Sequence, residues 1–316
     1  MSVIMDVQAR LILFFILNHL LVDCTSTLTY KLNDGNEIPA IALGTSLGHE
    51  PDGTRVLPKN HSLALAVQWA LEAGYRHVDT ASLYRVEDEV GLGVRYFLSN
   101  NSNVSRKDNV YITTKSDNSI SNTDYLVTWQ GMEDAKAKNL TRSIGVSNFN
   151  LTQMQRIWNN SKIKPAVLQI EVNPTITQNE LVDWCREHGV VVMGYSPFGG
   201  ILGRKADAPA PRANDTLLQE LAETHNKTVP QILLRYLLDR NIVAMPRSTK
   251  RKRINRNFDI EDFKLSPEEV EKLSGFNKNY RLRTPVKWYD HPHFPFEKKN
   301  LTQEEIKYII DHSKED

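Results

Sequence analysis

The chain has 316 residues, of which 40% are hydrophobic and 24% are charged, and its formal net charge is +1. This is the composition of a globular protein with enough apolar residues for a sizeable core. The near-neutral charge gives no indication of nucleic acid or of an acidic partner, and we expect neither.

The chain begins with a segment typical of a secretory signal peptide. Arg10 precedes a largely apolar run over residues 11–22, and small residues follow at positions 24–26. The run is short for a membrane span, and two polar residues interrupt it. We expect residues 1–24 to be removed and residues 25–316 to form the mature domain, secreted or held in the lumen of the endoplasmic reticulum. An uncleaved anchor or a buried helix is the alternative.

Sequons and cysteines agree with a secreted glycoprotein that has no membrane attachment after cleavage. N-x-S/T occurs at Asn60, Asn100, Asn103, Asn139, Asn150, Asn159, Asn214, Asn226 and Asn300. Such sites are glycan acceptors only in secreted proteins, although a chain rich in Asn, Ser and Thr also forms them by chance. The two cysteines are Cys24, near the expected cleavage point, and Cys185. An internal disulfide is therefore not expected, and Cys185 is interpreted as a small buried residue.

The mature part opens with a hairpin signal and continues as alternating helices and strands. In "LTYKLNDGNEIPAIALGT" the turn NDG lies between two alternating runs, which predicts a β-hairpin. Helical spacing in "HSLALAVQWALEAG" predicts a helix that ends at Gly74, and "YRHVDTA" predicts a strand. The alternation then continues through the strands "VYITTK", "SIGVSN", "AVLQIEVN", "VVVMGYSP" and "IVAMPRS", with helical segments between them.

This alternation indicates a TIM-type (β/α)8 barrel, an α/β fold. Strands that alternate with helices form parallel βαβ units, and most of these strands are apolar throughout, as expected for strands covered on both faces. No G-x-G-x-x-G follows the first strand, which argues against a Rossmann half. Polar residues end successive strands, where such a barrel places its chemistry: Asp79, Lys115, Ser147, Asn148, Gln169, Tyr195, Ser196, Arg247 and Ser248.

One strand of the barrel is missing from the pattern. A closed barrel of this kind has eight strands, whereas the sequence provides seven. Between Lys115 and Ser143 lie 27 residues, which is room for one helical crossover. We therefore expect one strand and one helix to be absent from this interval, leaving a strained seven-stranded closure or exposed strand edges. The aromatic, Pro-rich tail from about residue 280 is a candidate loop over the barrel mouth.

Six segments resemble the aldo-keto reductase family, and the similarity runs from about residue 28 to residue 296. They are "GYRHVDTASLY", "VYITTK", "RSIGVSNFN", "LQIEVNP", "GYSPFG" and "MPRSTKRKRINRNF". The resemblance implies a (β/α)8 barrel, a small-molecule carbonyl substrate, NADPH-dependent reduction of aldehydes or ketones and a monomer. "YSPFG" and "KWYDHPHFPF" resemble insect members, which makes ketosteroids, including 3-dehydroecdysteroids, one candidate substrate class.

The resemblance also implies the catalytic residues. Tyr84 matches the tyrosine that protonates the carbonyl oxygen, and Asp79 and Lys115 match the partners that tune it. A free phenol has a pKa of about 10. A nearby ammonium such as that of Lys115 stabilises the phenolate, and Asp79 orients and pairs that ammonium.

The same resemblance implies an NADPH/NADP+ site and no metal. Ser147, Asn148 and Gln169 match the groups that hold the carboxamide, and Tyr195 matches the ring that stacks on the nicotinamide. The other matching cofactor positions are Thr45, Ser196, Pro197, Phe198, Arg247, Ser248, Arg253 and Asn257. Arginine suits a 2′-phosphate because it donates bidentate hydrogen bonds. Arg256 departs from the family, which has an acidic residue beside Asn257, while Lys250, Arg251 and Lys252 are interpreted as a solvated basic run.

The family's fourth catalytic residue, a histidine in a context like "YLIHWP", has no match. In "YLVTW" Thr128 occupies a similar place, but the next residues, "QGMEDAKAKNL", match the family helix that follows the missing strand. We therefore interpret the histidine strand as absent, as a skipped exon or a faulty gene model would leave it, and Thr128 as a helix residue. Three hypotheses follow: a reductase with weak activity through Tyr84 and Lys115, an inactive isoform that at most binds NADP(H), and an unstable product without a function.

Overall fold

The structure, a computed structural model, describes residues 28–50, 54–101, 110–115, 123–203, 208–283, 289, 291, 293–297, 304 and 307. The predicted signal peptide with Cys24, and the sequons at Asn103 and Asn300, lie outside these residues. Among the residues described, no helix has the length and apolar character needed to cross a bilayer.

The predicted hairpin is present, and seven parallel strands follow it. Strands β1 (Thr29–Lys31) and β2 (Glu37–Pro39) pair antiparallel around a turn in which Gly35 has a φ of 86°. That backbone conformation favours glycine because a Cβ atom would be strained there. The parallel strands are β3 (Leu43–Gly44), β4 (His77–Asp79), β5 (Tyr111–Thr113), β6 (Gly145–Ser147), β7 (Val167–Glu171), β8 (Val191–Tyr195) and β9 (Ile242–Ala244).

Helices surround these strands on the outside. They are α1 (Ser62–Ala73), α2 (Glu87–Asn100), α3 (Tyr125–Ala137), α4 (Leu151–Asn160), α5 (Asn179–Glu187), α6 (Thr216–Thr224), α7 (Val229–Asp239), α8 (Arg251–Phe258) and α9 (Pro267–Ser274). As predicted, Gly74 ends α1, and its N–H bonds to the carbonyls of Ala70 and Leu71. Close packing of α1 on α2 requires Gly93, because a Cβ there would lie 2.4 Å from the Ala64 oxygen.

The seven strands form a barrel wall with an open seam. Hydrogen-bonded neighbours follow the order β5-β4-β3-β9-β8-β7-β6. The link between β3 and β9 is a bridge of Ile41 with Ala244, beside which Ala42 N donates to Ala244 O at 2.9 Å. In the part of the chain that the structure describes, no pairing joins β5 to β6. The TIM-type fold is confirmed, and the seam lies where the sequence predicts the missing strand.

The floor of the barrel is held across this seam by the hairpin, an arrangement we call the floor brace. Asp34, in the hairpin turn, pairs with Lys136 at the end of α3. The Nδ2 of Asn36 donates to Arg142 O and to Ser143 Oγ, both at 3.1 Å. The hairpin thereby ties the segment before β6 to the rest of the fold at the end of the barrel opposite the strand carboxyl ends.

Helix α3 covers the β6 side of the seam through a small separate core. Trp129, Ile144 and Ile157 are buried together, and Trp129 Nε1 donates to Ile163 O at 3.1 Å. Thr128 lies within α3 and is exposed. This position confirms that Thr128 is a helix residue and not a replaced catalytic histidine at a strand end.

Candidate active site

The three predicted catalytic residues meet at the carboxyl ends of β4 and β5. Asp79 ends β4, Tyr84 closes a short 3-10 helix (Ser82–Tyr84) after it, and Lys115 follows β5. Lys115 Nζ donates to Asp79 Oδ1 at 2.7 Å and to Thr80 O at 2.8 Å. The backbone N–H of Ser82 also donates to Lys115 O at 3.0 Å, which fixes the two strand ends relative to each other.

Asp79 is the centre of a buried hydrogen-bond network. Only 4% of the residue is exposed, and its Oδ1 also accepts from Gln169 Nε2 at 2.7 Å. Thr45 lies beneath it and donates from its hydroxyl to Asp79 O at 2.9 Å. Burial raises the pKa of Asp79, whereas the Lys115 ammonium and the Gln169 amide favour its ionised form.

The pKa of Tyr84 is raised above that of a free phenol, which is already protonated at neutral pH. Burial is the main cause and the charge of Asp79 adds to it, while Arg55 and Arg283 oppose it. The expected lowering of this pKa by Lys115 is wrong, because burial outweighs nearby positive charge; the Lys115 ammonium is paired with Asp79 and lies 5.4 Å from the centre of the Tyr84 ring. Pairing of Asp79 with Lys115, by contrast, is confirmed. Tyr84 is therefore in the proton-donor form that carbonyl reduction needs.

Residues predicted to hold a carboxamide lie together at the ends of β6, β7 and β8. Asn148 Oδ1 accepts from the Tyr195 hydroxyl at 2.9 Å, and the Ser147 hydroxyl donates to Gln169 O at 3.1 Å. These bonds leave Asn148 Nδ2 as a donor and Gln169 Oε1 as an acceptor, the pair that a carboxamide requires. Asn148 and Ser196 have φ of 60° and 49°, conformations that concentrate at functional sites.

The predicted phosphate-binding residues lie after β9 and along α8. Arg247 and Arg253 are exposed, whereas Ser248 and Asn257 are each 7% exposed. The adjacent Arg251 instead pairs with Glu72 at 3.0 Å on the outer surface, in agreement with its interpretation as part of a solvated basic run.

All fifteen predicted site residues line one cavity of about 2290 Å³. Ligand pockets usually measure about 300–1,000 Å³, so this volume is more than one ligand needs. The excess arises because the cavity continues down the open seam, where Ile112, Ile144 and Val146 also line it. Arg256 lines the cavity beside Asn257 as well.

Two further residues at the cavity, Arg55 and Arg283, and the buried Glu171 that anchors one of them, were not predicted. Arg55 follows β3, and its guanidinium carbon lies 5.3 Å from the centre of the Tyr84 ring. Arg283 belongs to the tail, and Glu171, with no exposed surface, accepts the N–H groups of Leu282 and Arg283 at 3.0 Å each. The arginines in "YRLRTP" were a signal for a charged tail, but no pattern in the sequence indicates which of them faces the cavity.

The histidines that the structure describes do not replace the missing strand histidine. His77 is buried within β4 and bonds to Pro39 O at 3.2 Å and to Thr113 Oγ1 at 2.8 Å. His49, His291 and His293 line the cavity from loops. Within the described residues, none of the strand ends flanking the seam carries a histidine.

Comparisons with known proteins relate the chain to one enzyme family. Residues 116–278 match the model of the "Aldo/keto reductase family". The chain is 42% identical to aldo-keto reductase AKR2E4 of Bombyx mori over 303 residues, covering 84% of this chain and 97% of that protein. It is 32% identical over 320 residues to aldo-keto reductase family 1 member D1 of Mus musculus, covering 84% and 96%.

Solved structures give the same result. The crystal structure of Bombyx mori AKR2E4 in complex with NADP matches with a TM-score of 0.79 and 41% identity, covering 86% of this chain and 100% of that one. A crystal structure of AKR2E5 with NADPH matches with a TM-score of 0.82 and 34% identity, covering 88% and 96%.

The comparison with the silkworm protein also shows how many aligned positions this chain lacks in total. The alignment runs over 303 positions, whereas 84% of 316 residues is about 265, so about 38 positions have no counterpart in this chain. One helix–strand unit of a TIM barrel takes about 30 residues. The family match begins at residue 116, directly after Lys115.

Proposed function

The chain belongs to the aldo/keto reductase family, and from this premise we propose that Tyr84, Lys115 and Asp79 reduce aldehydes or ketones to alcohols. The enzyme class is that of NADP-dependent oxidoreductases acting on carbonyl groups. The observation that carries the residue assignment is the position of Tyr84 at the cavity wall, beside an ion pair of 2.7 Å between Lys115 and Asp79.

The residues lining the cavity fit NADPH. Arg247 and Arg253 offer guanidinium donors for a 2′-phosphate, and Asn148 and Gln169 offer a donor and an acceptor for a carboxamide. When bound there, NADPH supplies the hydride. Tyr84 supplies the proton to the carbonyl oxygen, and the Lys115–Asp79 pair holds the adjoining strand ends in place.

A rate assay tests the role of Tyr84. We expect NADPH oxidation with 4-nitrobenzaldehyde to fall at least about 100-fold in Tyr84→Phe, because a positioned proton donor contributes about 10²–10⁴ in rate. Tyr96→Phe, on helix α2 and outside the cavity lining, is the matched control. Equal losses in both variants would show that Tyr84 is not the donor.

A second candidate function is binding of NADP(H) without turnover. The open seam between β5 and β6, and the absence of the histidine strand from the sequence, favour it. Calorimetric titration with NADPH, beside the rate assay, separates the two functions. Binding without oxidation of any aldehyde would support the second candidate, and measurable turnover would reject it.

Ketosteroids are the finer substrate proposal for the same site. The tail brings Phe294, Pro295 and Phe296 to the cavity lining, and aromatic and aliphatic walls suit a rigid apolar ligand. NADPH oxidation with a neutral steroid ketone, compared with 4-nitrobenzaldehyde, tests this. A steroid ketone that neither turns over nor inhibits would reject the proposal.

We also propose that the mature protein is a secreted monomeric glycoprotein. The N-terminal segment supports secretion, and the sequons at Asn60, Asn139 and Asn226 are exposed. Asn150 is a poor acceptor because its side chain caps α4 by accepting from Gln153 N at 2.9 Å. N-terminal sequencing, glycosidase treatment and light scattering of protein from culture medium test these points. An intact Met1 on cytosolic protein would reject secretion.

A further inference from the structure

The seam between β5 and β6 continues the active-site cavity between apolar walls. Ile112 on β5 and Val146 on β6 both line the cavity and are only partly buried. Within Tyr111–Thr113 and Gly145–Ser147 neither strand carries a charged side chain. In a closed barrel such strands are covered on both faces and paired on both edges. The seam therefore leaves apolar surface that neither the carbonyl position nor the cofactor positions use.

The apolar lining continues into the barrel and onto helix α3. Met193 and Met245 are buried, and both line the same cavity from the inside of the barrel. Trp129 is also buried and lines the cavity from α3. Methionine is unbranched and adapts its shape to irregular or flexible apolar groups. The seam is thus walled by apolar side chains from the strands, the barrel interior and one helix.

The outer end of this apolar lining is exposed. Met132 in α3 is 38% exposed and Leu140 after α3 is 76% exposed, and both line the cavity. Single exposed apolar side chains are ordinary, but these two continue the lining of one cavity. Val127, on the same helix, is 55% exposed and lies outside the lining. The cavity therefore runs from Tyr84 along the seam to the surface beside α3.

The dimensions of the seam suit a narrow, extended ligand. From Tyr111 to Lys115 the chain advances four residues, which is about 13 Å in an extended strand. An extended alkyl chain of about ten carbons, with bonds of about 1.5 Å, has a similar length. Neighbouring strands lie about 4.8 Å apart, so the space left by one strand is narrow. A linear alkyl chain fits such a space, whereas a fused ring system is too wide.

From this geometry we infer that the seam binds the alkyl chain of linear long-chain aldehydes while their carbonyl group lies at Tyr84. The inference rests on the reductase function proposed above. The carbonyl carbon gains a hydride from NADPH, which becomes NADP+, and the carbonyl oxygen gains the proton of Tyr84. The product is a primary alcohol, and the chain takes no part in the redox step. Each methylene group that the seam buries should strengthen binding about fourfold.

Two other arrangements make different predictions. The alkyl chain might be placed instead against Phe294 and Phe296 of the tail, which also line the cavity; a preference for long chains would then be independent of α3. Alternatively, a second copy of this chain would occupy the seam, because unpaired strand edges pair readily with another chain. That arrangement predicts a dimer whose seam is closed to small molecules.

The kinetic test compares kcat/KM for hexanal, octanal and decanal in the wild type, Met132→Glu and Val127→Glu. Both substitutions lie at exposed positions of one helix, so both variants are expected to fold. In the wild type we expect kcat/KM to rise at least about 30-fold from hexanal to decanal, which has four more methylene groups. The ratio of decanal to hexanal should fall about 10-fold in Met132→Glu, because a carboxylate at the seam keeps water beside the chain, and stay unchanged in Val127→Glu. Equal rates along the series, or equal ratios in the two variants, would overturn the inference.

A contact measurement covers the case in which no aldehyde is reduced, which would be a failure of the proposed function alone. The probe is 10-bromodecan-1-ol, titrated with NADP+ present into the wild type and Trp129→Phe, because bromine quenches the fluorescence of a tryptophan that it touches. We expect saturable quenching in the wild type, little in Trp129→Phe, and none with decan-1-ol as the control. No quenching, or equal quenching in both proteins, would reject the inference whether or not the chain turns over. A dimer by light scattering without quenching would also reject it and favour a second copy at the seam.

Discussion

Replacing Lys115 by methionine tests the site most directly, because it removes the counter-charge of a buried carboxylate. The Asp79 side chain is 5% exposed and that of Lys115 is 21% exposed, and their charged atoms are 2.7 Å apart. Breaking a buried ion pair from one side costs about 3–5 kcal/mol. We expect the lower end, about 3 kcal/mol, because water reaches the lysine side and replaces part of the lost interaction.

The companion variant is Lys115→Met with Asp79→Asn, which removes both charges. Asparagine keeps the acceptor for Gln169 Nε2, so we expect this double variant to regain most of the lost stability. Activity is expected to stay at least about 100-fold below wild type in both variants, because the group that positions the Tyr84 loop is gone. The single and double variants are therefore expected to differ in stability but to share the loss of activity.

The pH dependence adds an internal check. Burial already raises the pKa of Asp79, and loss of Lys115 raises it further. A carboxyl whose pKa is higher in the folded than in the unfolded state costs no stability below the unfolded pKa, about 3.9. The cost grows as the pH rises through the folded pKa. The deficit of Lys115→Met should therefore shrink on acidification, while the double variant lacks this dependence.

The assay is urea unfolding followed by tryptophan fluorescence at several pH values, with NADPH oxidation measured on the same preparations. Lys59→Met, at an exposed position before α1, controls for the loss of any lysine. A loss of less than about 1 kcal/mol in Lys115→Met, or a double variant as unstable as the single one, would refute the reasoning.

Three further predictions follow from other parts of the structure. Arg253→Ala should weaken NADPH binding about 10–100-fold, measured by fluorescence titration, whereas Arg251→Ala, which loses only its pair with Glu72, should not; equal losses would contradict the phosphate assignment. Burial lowers the pKa of His77 to about 4, so stability should be complete above about pH 6.5 and decline by about 3 kcal/mol as the pH falls to about 4. Urea unfolding of His77→Gln should lack that decline, and an identical pH profile would contradict it. Inserting the helix–strand unit of a relative after Lys115 should raise kcat/KM by about 10²–10⁴, and equal rates with equally cooperative melts in both proteins would show that the seam is no impairment.

Periodic apolar segments made most of the fold predictable. The helix before β4 and its stop at Gly74 follow from spacing and from a residue that tolerates a positive φ. Helix α8 was missed because its sequence, "RKRINRNF", is mainly charged and buries only Ile254 and Asn257. Helix α9 was also missed, although Ser266 and Glu269 form a capping box at its start. Helix α8 is therefore stabilised by tertiary contacts and has no hydrophobic periodicity from which it could be predicted.

Site residues at strand ends could be predicted from the sequence, whereas site residues on loops could not. Asp79 and Lys115 follow directly from the register of parallel strands, since their carboxyl ends share one edge. Arg55 and Arg283 come from segments without periodicity, and their approach to Tyr84 depends on anchors such as Glu171 that lie far away in the sequence. The direction of the Tyr84 pKa shift was also missed, because the burial that raises this pKa depends on tertiary packing, which the sequence does not show.

The floor brace restrains the seam at one end of the barrel only. Asp34 and Asn36 tie the β6 side of the seam to the hairpin at the floor, whereas in the described residues no strand pairing joins β5 to β6 at the opposite end, where Lys115 and Ser147 lie. The seam is therefore easier to widen at the carboxyl ends of the strands than at the floor, and thermal motion that widens it acts mainly on the catalytic end of the barrel. Amide hydrogen exchange should accordingly be faster at the carboxyl ends of β5 and β6 than in the hairpin that spans their other ends.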